Sequence, residues 1–223
     1  MNRHIPALLL SLASLGLPAA AEPVGPGVRA LLLAPEGAVS TLYPVSGETR
    51  GKGVVVGARG LSEPFHPPAR EFSLMIEDNK RESGFRDAGK AALPPEGDDF
   101  IILLEPEHAA FKVHVIHGGD ARFGPNGILF FNASESNIGI ALGASKLLVK
   151  PRAPVFAKPP DGGGRPYYQV TFFEAENGKA RPFVNTRWPH RENSRCYVFL
   201  YRNRNGRFTY QAVDEAVAGK GGP

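Results

Sequence analysis

Short apolar runs separated by glycine and proline are the feature that most constrains the fold of this chain. The 223 residues include 26 Gly and 21 Pro, spread at intervals too short for long helices. Almost every apolar run is four to eight residues long and ends in turn-forming residues. This pattern is typical of many short β-strands. The sequence therefore predicts an all-β protein.

The first half contains seven predicted strands. One of them, 100–104, is continuously apolar, which indicates a central strand buried on both faces. Seven strands within about 95 residues are typical of an immunoglobulin-like β-sandwich. The predicted strands are 28–33, 39–45, 53–57, 71–77, 90–93, 100–104 and 111–116.

A second series of strands follows a stretch rich in turn residues at 118–127. It predicts tandem immunoglobulin-like sandwiches, with one domain at 22–118, a second at 119–215 and a flexible tail at 216–223. A single large sandwich is the alternative. The predicted strands are 128–132, 138–142, 146–149, 154–157, 167–174, 181–187, 196–201 and 208–213.

The N-terminus has the pattern of a cleaved signal peptide. Arg3 precedes an apolar run at 5–17, which is shorter than the ~20 residues that cross a bilayer as a helix. Small residues up to Ala21 then form a cleavage site, so residues 1–21 are predicted to be removed. We expect a periplasmic or secreted protein with no transmembrane segment after cleavage. The alternative is a buried N-terminal helix.

Cys196 is the one cysteine of the chain. A disulfide framework within the chain is therefore excluded, and so is a lipid-modified cysteine at the cleavage site. Cys196 alternates with Val198 and Leu200 on a predicted strand. We interpret it as a buried packing residue rather than a nucleophile.

Charge is distributed unevenly along the chain. Residues 22–150 carry 13 Lys and Arg against 16 Asp and Glu, a net charge of −3. Residues 151–223 carry 12 against 6, a net charge of +6. A basic second half favours an acidic partner such as an anionic polysaccharide, although a solvated surface explains it equally simply. A nucleic-acid partner is not expected for an exported protein.

The sequence offers no recognisable catalytic, metal or cofactor motif. His114 and His117 are three residues apart on a strand, so their side chains point to opposite faces. The hydrolase pattern Gly-x-Ser-x-Gly is absent, and the glycines at 51–57 lack the Gly-Lys-Ser/Thr ending of a phosphate loop. We predict no catalytic residues, no metal and no cofactor. Asn132-Ala133-Ser134 matches a glycosylation pattern but is interpreted as a polar turn.

One group of aromatic and basic residues is a candidate ligand-binding surface. Aromatic rings beside guanidinium groups can stack on sugars and pair with carboxylates or phosphates. The same rings could instead fill the core between two sheets. The candidate residues are Arg187, Trp188, Arg195, Tyr197, Tyr201 and Tyr210.

Several segments resemble exported bacterial proteins that contain immunoglobulin-like domains of unknown function. The resemblance implies a β-sandwich of the cell envelope and supplies no catalytic residues. It covers most of the chain after the signal peptide and rests on Val28-Arg29, 93–97, 123–134, 142–146, 186–189 and 195–201, with Tyr210 and Asp214.

Three functional hypotheses follow. The first is a non-catalytic envelope protein that binds or scaffolds a polysaccharide or a protein. The second is a hydrolase of cell-wall carbohydrate, which needs two carboxylates facing each other across a cleft; Asp120 and Glu174 are candidates. The third is a subunit of an envelope assembly that pairs through a sheet edge.

Overall fold

Sixteen β-strands and no helix make up the described part of the chain. The computed structural model describes residues 25–35, 37–176 and 179–217. The strands are β1 (Gly27–Leu32), β2 (Val39–Ser46), β3 (Thr49–Arg50), β4 (Val54–Gly57), β5 (Glu71–Glu77), β6 (Phe85–Ala92), β7 (Asp99–Glu107), β8 (Ala110–His117), β9 (Ile128–Asn132), β10 (Ile138–Leu142), β11 (Ser145–Val149), β12 (Pro154–Ala157), β13 (Tyr167–Glu176), β14 (Lys179–Pro189), β15 (Ser194–Arg202) and β16 (Phe208–Ala216).

These strands form four sheets, two in each half of the chain. Sheet 1 has the order β3-β2-β5-β6, with β4 also paired to β2, and sheet 2 has the order β1-β7-β8. Sheet 3 has the order β12-β9-β15-β16, and sheet 4 has the order β11-β10-β13-β14. The sheets are not purely antiparallel, because β1 pairs with β7 and β9 pairs with β15 in parallel. The all-β sandwich fold predicted from the sequence is confirmed.

Three apolar clusters hold the four sheets in one stack. The first cluster lies between sheets 1 and 2 and includes Phe72 and Phe100. The second lies between sheets 2 and 3 and includes Leu103 and Phe131. The third lies between sheets 3 and 4 and includes Phe172. The halves of the chain therefore share a core instead of meeting only through a linker.

Two central strands supply side chains to two clusters at once. In β7, Phe100, Ile102 and Leu104 join the first cluster, whereas Ile101 and Leu103 join the second. All five are fully buried. Because side chains alternate along a strand, the unbroken apolar run satisfies both faces. The prediction that 100–104 is a strand buried on both faces is confirmed.

Strand β9 repeats this arrangement in the second half of the chain. Leu129 and Phe131 enter the second cluster, and Ile128 and Phe130 enter the third. Asn132 ends the strand with no exposed surface. Its amide donates to the carbonyl oxygens of Ser136 and Val149, and its Oδ1 accepts from Ser134. The polar-turn interpretation of this segment is confirmed.

Polar contacts between the halves surround the second cluster. Gln211 Nε2 on β16 donates to the carbonyl oxygens of Leu32 at 3.2 Å and Ala58 at 2.5 Å. Glu135 accepts from Lys112 of the first half at 3.2 Å and from Arg152 of the second half at 2.5 Å. These bonds fix the registration of sheet 2 over sheet 3.

The predicted strands agree with the structure except where the sequence has no clear alternation of apolar residues. Strand β6 was predicted only at 90–93, but it begins at Phe85. Its first residues carry Arg86 and Asp87, and Gly89 has a φ of 151° where the register with β5 shifts, so alternation is lost there. The two-residue strand β3 was not predicted at all.

Two predictions fall largely on residues outside the described part. The signal peptide at 1–21 lies there entirely, as does the tail beyond Val217. Within the described residues, no helix is long and apolar enough to cross a membrane. The division into domains at 22–118 and 119–215 stays a prediction.

Truncation of Leu103 tests whether the halves unfold together. Leu103→Ala is expected to lower the free energy of unfolding by about 2–5 kcal/mol, because it opens a cavity in the second cluster. Urea unfolding should be followed by far-UV circular dichroism and by the fluorescence of Trp188, the one tryptophan, which packs on the third cluster. Both midpoints should fall together.

A control variant comes from the exposed surface of sheet 1. Val55 is 63% exposed, so Val55→Ala should change stability by no more than about 0.5 kcal/mol. A Trp188 transition that does not move in Leu103→Ala would show that the second half unfolds independently.

Candidate ligand-binding pocket

A small pocket opens at one end of the second half, where the turn before β9 meets the β14–β15 connection. Its volume is about 160 Å³. Tyr168 and Trp188 form an aromatic wall, and Pro159 and Pro189 add further apolar surface. The polar lining comes from Asn126, Arg191, Ser194, Cys196 and Asp214.

Strand alternation explains why two aromatic side chains reach this pocket. Tyr168 on β13 is the register partner of Trp188 on β14, so both point to the same face of sheet 4. That face covers the third cluster. The two rings pack edge to face with centroids 6.3 Å apart, and Tyr168 also contacts the ring of His190 at 4.8 Å.

An ion pair contributes to the lining of the same pocket. Arg191 Nη1 lies 2.7 Å from Asp214 Oδ2, and both side chains are partly exposed. Asp214 is the register partner of Cys196, so the carboxylate lies beside the thiol. Burial first, and then the neighbouring carboxylate, raise the pKa of Cys196 well above its ordinary value. The thiol is therefore protonated at neutral pH.

The structure divides the six predicted site residues among three faces. Trp188 and Tyr210 are half-buried against the third cluster, with ring centroids 5.9 Å apart. Trp188 also stacks on Phe130 at 6.3 Å. Of these two, only Trp188 lines the pocket. Its ring serves both the core and the pocket wall.

Arg195, Tyr197 and Tyr201 lie on the opposite face of sheet 3. Tyr197 is fully buried in the second cluster, and Tyr201 packs against that cluster. The prediction that these tyrosines share a surface with Trp188 and Tyr210 is wrong. Tyr210 is the register partner of Leu200, which belongs to the third cluster. Odd and even positions of β15 therefore serve different cores.

Arg195 and Tyr197 take part in a network of charges between the halves. Glu215 Oε2 accepts from Tyr197 at 2.5 Å and from Arg195 at 2.7 Å. Arg29 of β1 pairs with Glu215 and lies 3.4 Å from Asp99. The network lies beside an open cleft between the halves, and it joins strands β1 and β7 to β15 and β16.

Opposing effects set the protonation of this network. Burial alone would raise the pKa of Glu215, but the hydrogen bond from Tyr197 and the charges of Arg29 and Arg195 hold it below its ordinary value. Burial disfavours the charge of Arg29, yet Tyr197, Glu215 and Asp99 raise its pKa. Both groups are charged at neutral pH.

Arg187 belongs to neither core. It is the register partner of Gln169 and points away from the third cluster, to the solvent side of sheet 4. Its neighbour Trp188 points inward. The sequence run Arg187-Trp188 is therefore split across the sheet by alternation.

The histidines stay apart, as their spacing predicts. His114 Nε2 lies 3.0 Å from Glu105 Oε2, and the His114 ring packs against Phe131. His117 packs on Phe100 of the first cluster. The two rings therefore lie on opposite faces of β8. Among the described residues, no group of three potential metal ligands comes together.

Sequence reasoning did not find Tyr168, Arg191 or Asp214 as pocket residues. The alternation of β13 contains the signal for Tyr168, because Tyr168, Val170 and Phe172 share one face. Arg191 and Asp214 are distant in sequence and meet through the pairing of β15 with β16. No local pattern encodes that contact.

Comparisons with known proteins give little information about this chain. No protein-family model matches it, and no curated protein matches it. A solved structure from Bacteroides uniformis, described as a proposed cell adhesion protein, is similar over 87% of this chain and 99% of its own. The sequence identity is 10% and the TM-score is 0.23, so this likeness carries no conclusion about fold or function.

Removal of the Glu215 carboxylate should weaken the protein in a pH-dependent way. Glu215→Gln is expected to lower the free energy of unfolding at pH 7, because Arg29, with a side chain 11% exposed, loses its nearest counter-charge. The pKa of Glu215 in the folded state lies below its unfolded value of about 4.3. Its stabilising effect is therefore complete well above that value and is lost as the pH falls through the folded pKa.

Urea unfolding from pH 7 to pH 3 measures this effect. The difference in stability between the wild type and Glu215→Gln should be largest near pH 7 and shrink below about pH 4. Glu192→Gln is the control, because Glu192 is exposed and forms no ion pair within the described residues. A difference independent of pH would contradict the assigned role of Glu215.

Proposed function

We propose that this chain is an exported, non-catalytic β-sandwich protein of the cell envelope that binds a polysaccharide or a protein partner. The pocket walled by Tyr168 and Trp188 is the observation that carries the proposal. The signal peptide predicted at 1–21 supports the location. In this proposal the pocket holds the partner by binding one ring-sized group of it.

The size of the pocket supports a single ring as its occupant. An apolar cavity of about 150 Å³ holds a benzene molecule, and this pocket has a volume of about 160 Å³. Aromatic walls favour the flat face of a sugar or an aromatic side chain. The Arg191–Asp214 pair in the pocket lining offers both donors and acceptors to hydroxyl groups.

The chemistry of the lining groups favours binding over nucleophilic catalysis. A reactive cysteine needs a lowered pKa, whereas burial and Asp214 raise the pKa of Cys196. Asp214 is also engaged by Arg191 at 2.7 Å. These side chains hold the pocket in a fixed arrangement without presenting an activated nucleophile.

The carboxylates also argue against a glycoside hydrolase. Asp214 and Glu215 are adjacent on β16, so their side chains point to opposite faces of sheet 3, and each carboxylate is paired with an arginine. Arg122 lowers the pKa of the partly buried Asp120 to about 2, and Glu174 is paired with Arg202 at 2.7 Å. A general acid needs a raised pKa instead.

Pairing through a sheet edge has less support. Strand β14 is the longest edge strand described, and it contains Pro182 and Pro189. Proline lacks the backbone donor that an added strand would need. Binding through the pocket is therefore the function that the geometry supports best.

Filling the pocket tests the proposal. Ala212 on β16 lines the pocket and is exposed, so Ala212→Leu places extra atoms there without removing a core contact. Trp188 fluorescence reports directly on the wall, because the chain has one tryptophan. N-acetylglucosamine and benzyl alcohol serve as single-ring probes for a sugar and an aromatic side chain.

The wild type is expected to show a saturable change in Trp188 fluorescence with one of the probes, with a Kd of about 1 mM or weaker. Ala212→Leu should abolish that change, whereas Ala216→Leu, on the same face of β16 but outside the pocket, should not. Thermal unfolding confirms that both variants are folded. A saturable response that is the same in Ala212→Leu, or no response in the wild type, would contradict the proposal.

A further inference from the structure

The solvent side of sheet 4 presents a continuous set of outward side chains, which we name the outer face. On each strand of sheet 4, the residues in register with third-cluster residues point towards that cluster. The residues that alternate with them therefore point towards solvent. No residue that we assign to the outer face lines the pocket or joins the ionic network. The outer face consists of Gly139, Ala141, Lys146, Leu148, Tyr167, Gln169, Thr171, Phe173, Asn185 and Arg187.

Small residues lie in the middle of the outer face. Gly139 and Ala141 on β10 have no side chain longer than a methyl group, and a Cβ at Gly139 would meet only the Phe173 side chain and backbone at 3.6–4.0 Å. Leu148 on one side and Tyr167 on the other are each 55% exposed. The face is therefore low in the middle, with larger side chains on both sides.

Hydrogen-bonding groups on the outer face are already ordered. Asn185 Oδ1 accepts from Gln169 Nε2 and from Thr171 Oγ1, the latter at 3.2 Å. Its amide nitrogen donates to no protein group among the described residues. Ordered amides cost little conformational entropy when a ligand hydroxyl binds them.

All the charge on the outer face is positive. Lys146 and Arg187 are exposed, and no acidic residue occupies an outward position of β10, β11, β13 or β14 within the described residues. Neither side chain forms an ion pair or hydrogen bond in the described part of the chain. Elsewhere in the second half, Arg191, Arg195 and Arg202 are each paired with a carboxylate.

We infer that the outer face of sheet 4 binds an anionic polysaccharide. Arg187 and Lys146 pair with carboxylate or sulfate groups, because guanidinium and ammonium groups form charge-assisted hydrogen bonds with both. The amides of Gln169 and Asn185 bind hydroxyl groups, and the Tyr167 ring lies against a sugar face. Alternation of polar and aromatic groups on a flat surface suits a chain of sugars.

The separation of the two cations fits a chain of linked sugars. Lys146 is in register with Ala141, Thr171 and Asn185 across the four strands of sheet 4. Arg187 is two residues beyond Asn185 on β14. Three interstrand spacings and two residues along a strand place the two Cα atoms roughly 15 Å apart. A chain of two or three linked sugars spans that distance and contacts both cations.

A protein partner fits this face less well. Central residues of protein interfaces are enriched in large aromatic side chains that become fully buried. Beside the one aromatic side chain of Phe173, the middle of the outer face has only the smaller residues Gly139, Ala141 and Thr171. The inference goes beyond the pocket, because neither Lys146 nor Arg187 lines it.

Affinity electrophoresis of the full chain in gels containing polysaccharide tests the inference. Two matched pairs of polymers are used: polygalacturonate with its methyl ester, and dextran sulfate with dextran. The wild type should be retarded by at least one anionic polymer and by neither neutral one, and added salt should weaken the retardation. The two anionic polymers distinguish carboxylate from sulfate recognition.

The double variant Lys146→Gln/Arg187→Gln should bind the retained polymer about tenfold more weakly or worse, because two charge-assisted contacts are lost. Arg204→Gln/Arg207→Gln is the matched control. It removes the same charge from exposed positions on the β15–β16 hairpin, which is not part of the outer face. The control should bind as the wild type does.

Three results would overturn the inference: equal binding by the Lys146→Gln/Arg187→Gln variant, equal loss in the hairpin control, or no retardation of the wild type. Ala212→Leu separates the two sites. If Ala212→Leu binds the anionic polymer normally while the double variant does not, the outer face acts without the pocket. Binding to envelope proteins that survives the double variant would assign a protein partner to another surface.

Discussion

Burial of β7 and β9 on both faces is the constraint on which the rest of the structure depends. Each strand has an unbroken apolar run. If a neighbouring sheet covered only one face of such a strand, the apolar side chains of the other face would be exposed to water. Sheets 2 and 3 are therefore covered on both sides, which makes the second cluster a core shared by the halves. In the absence of a disulfide within the chain, the apolar clusters and the Arg29–Glu215 network hold the stack together.

The two candidate binding surfaces follow from this stack. Sheet 4 has an inner face that completes the third cluster and an outer face that nothing covers in the described chain. Trp188 belongs to the inner face, and its neighbour Arg187 belongs to the outer one. Because side chains alternate along β14, the adjacent residues Arg187 and Trp188 serve different sites. Arg187 lies on the cationic outer face, and Trp188 lines the ring-sized pocket. Pro189 lines the pocket and pairs with Tyr167 of the outer face.

The sequence predicts the strands well because local alternation and turn residues determine them. The run at 100–104 indicates burial on both faces, and the break at 118–127 falls between β8 and β9. The candidate site is harder to predict from local sequence patterns. The predicted aromatic group fails because Tyr197 and Tyr210 lie on opposite faces of sheet 3, which depends on the register of β15 with β16. The Arg29–Glu215 pair joins residues 186 positions apart, and no local pattern encodes it.

Amide hydrogen exchange under native conditions tests the shared core most directly. The account predicts that amides of β7 and β9 exchange only through global unfolding, with the same opening free energy and the same dependence on urea. Slow exchange in both strands with matching slopes would support one cooperative stack. Exchange of β7 and β9 at different free energies, with one half opening while the other stays protected, would contradict it.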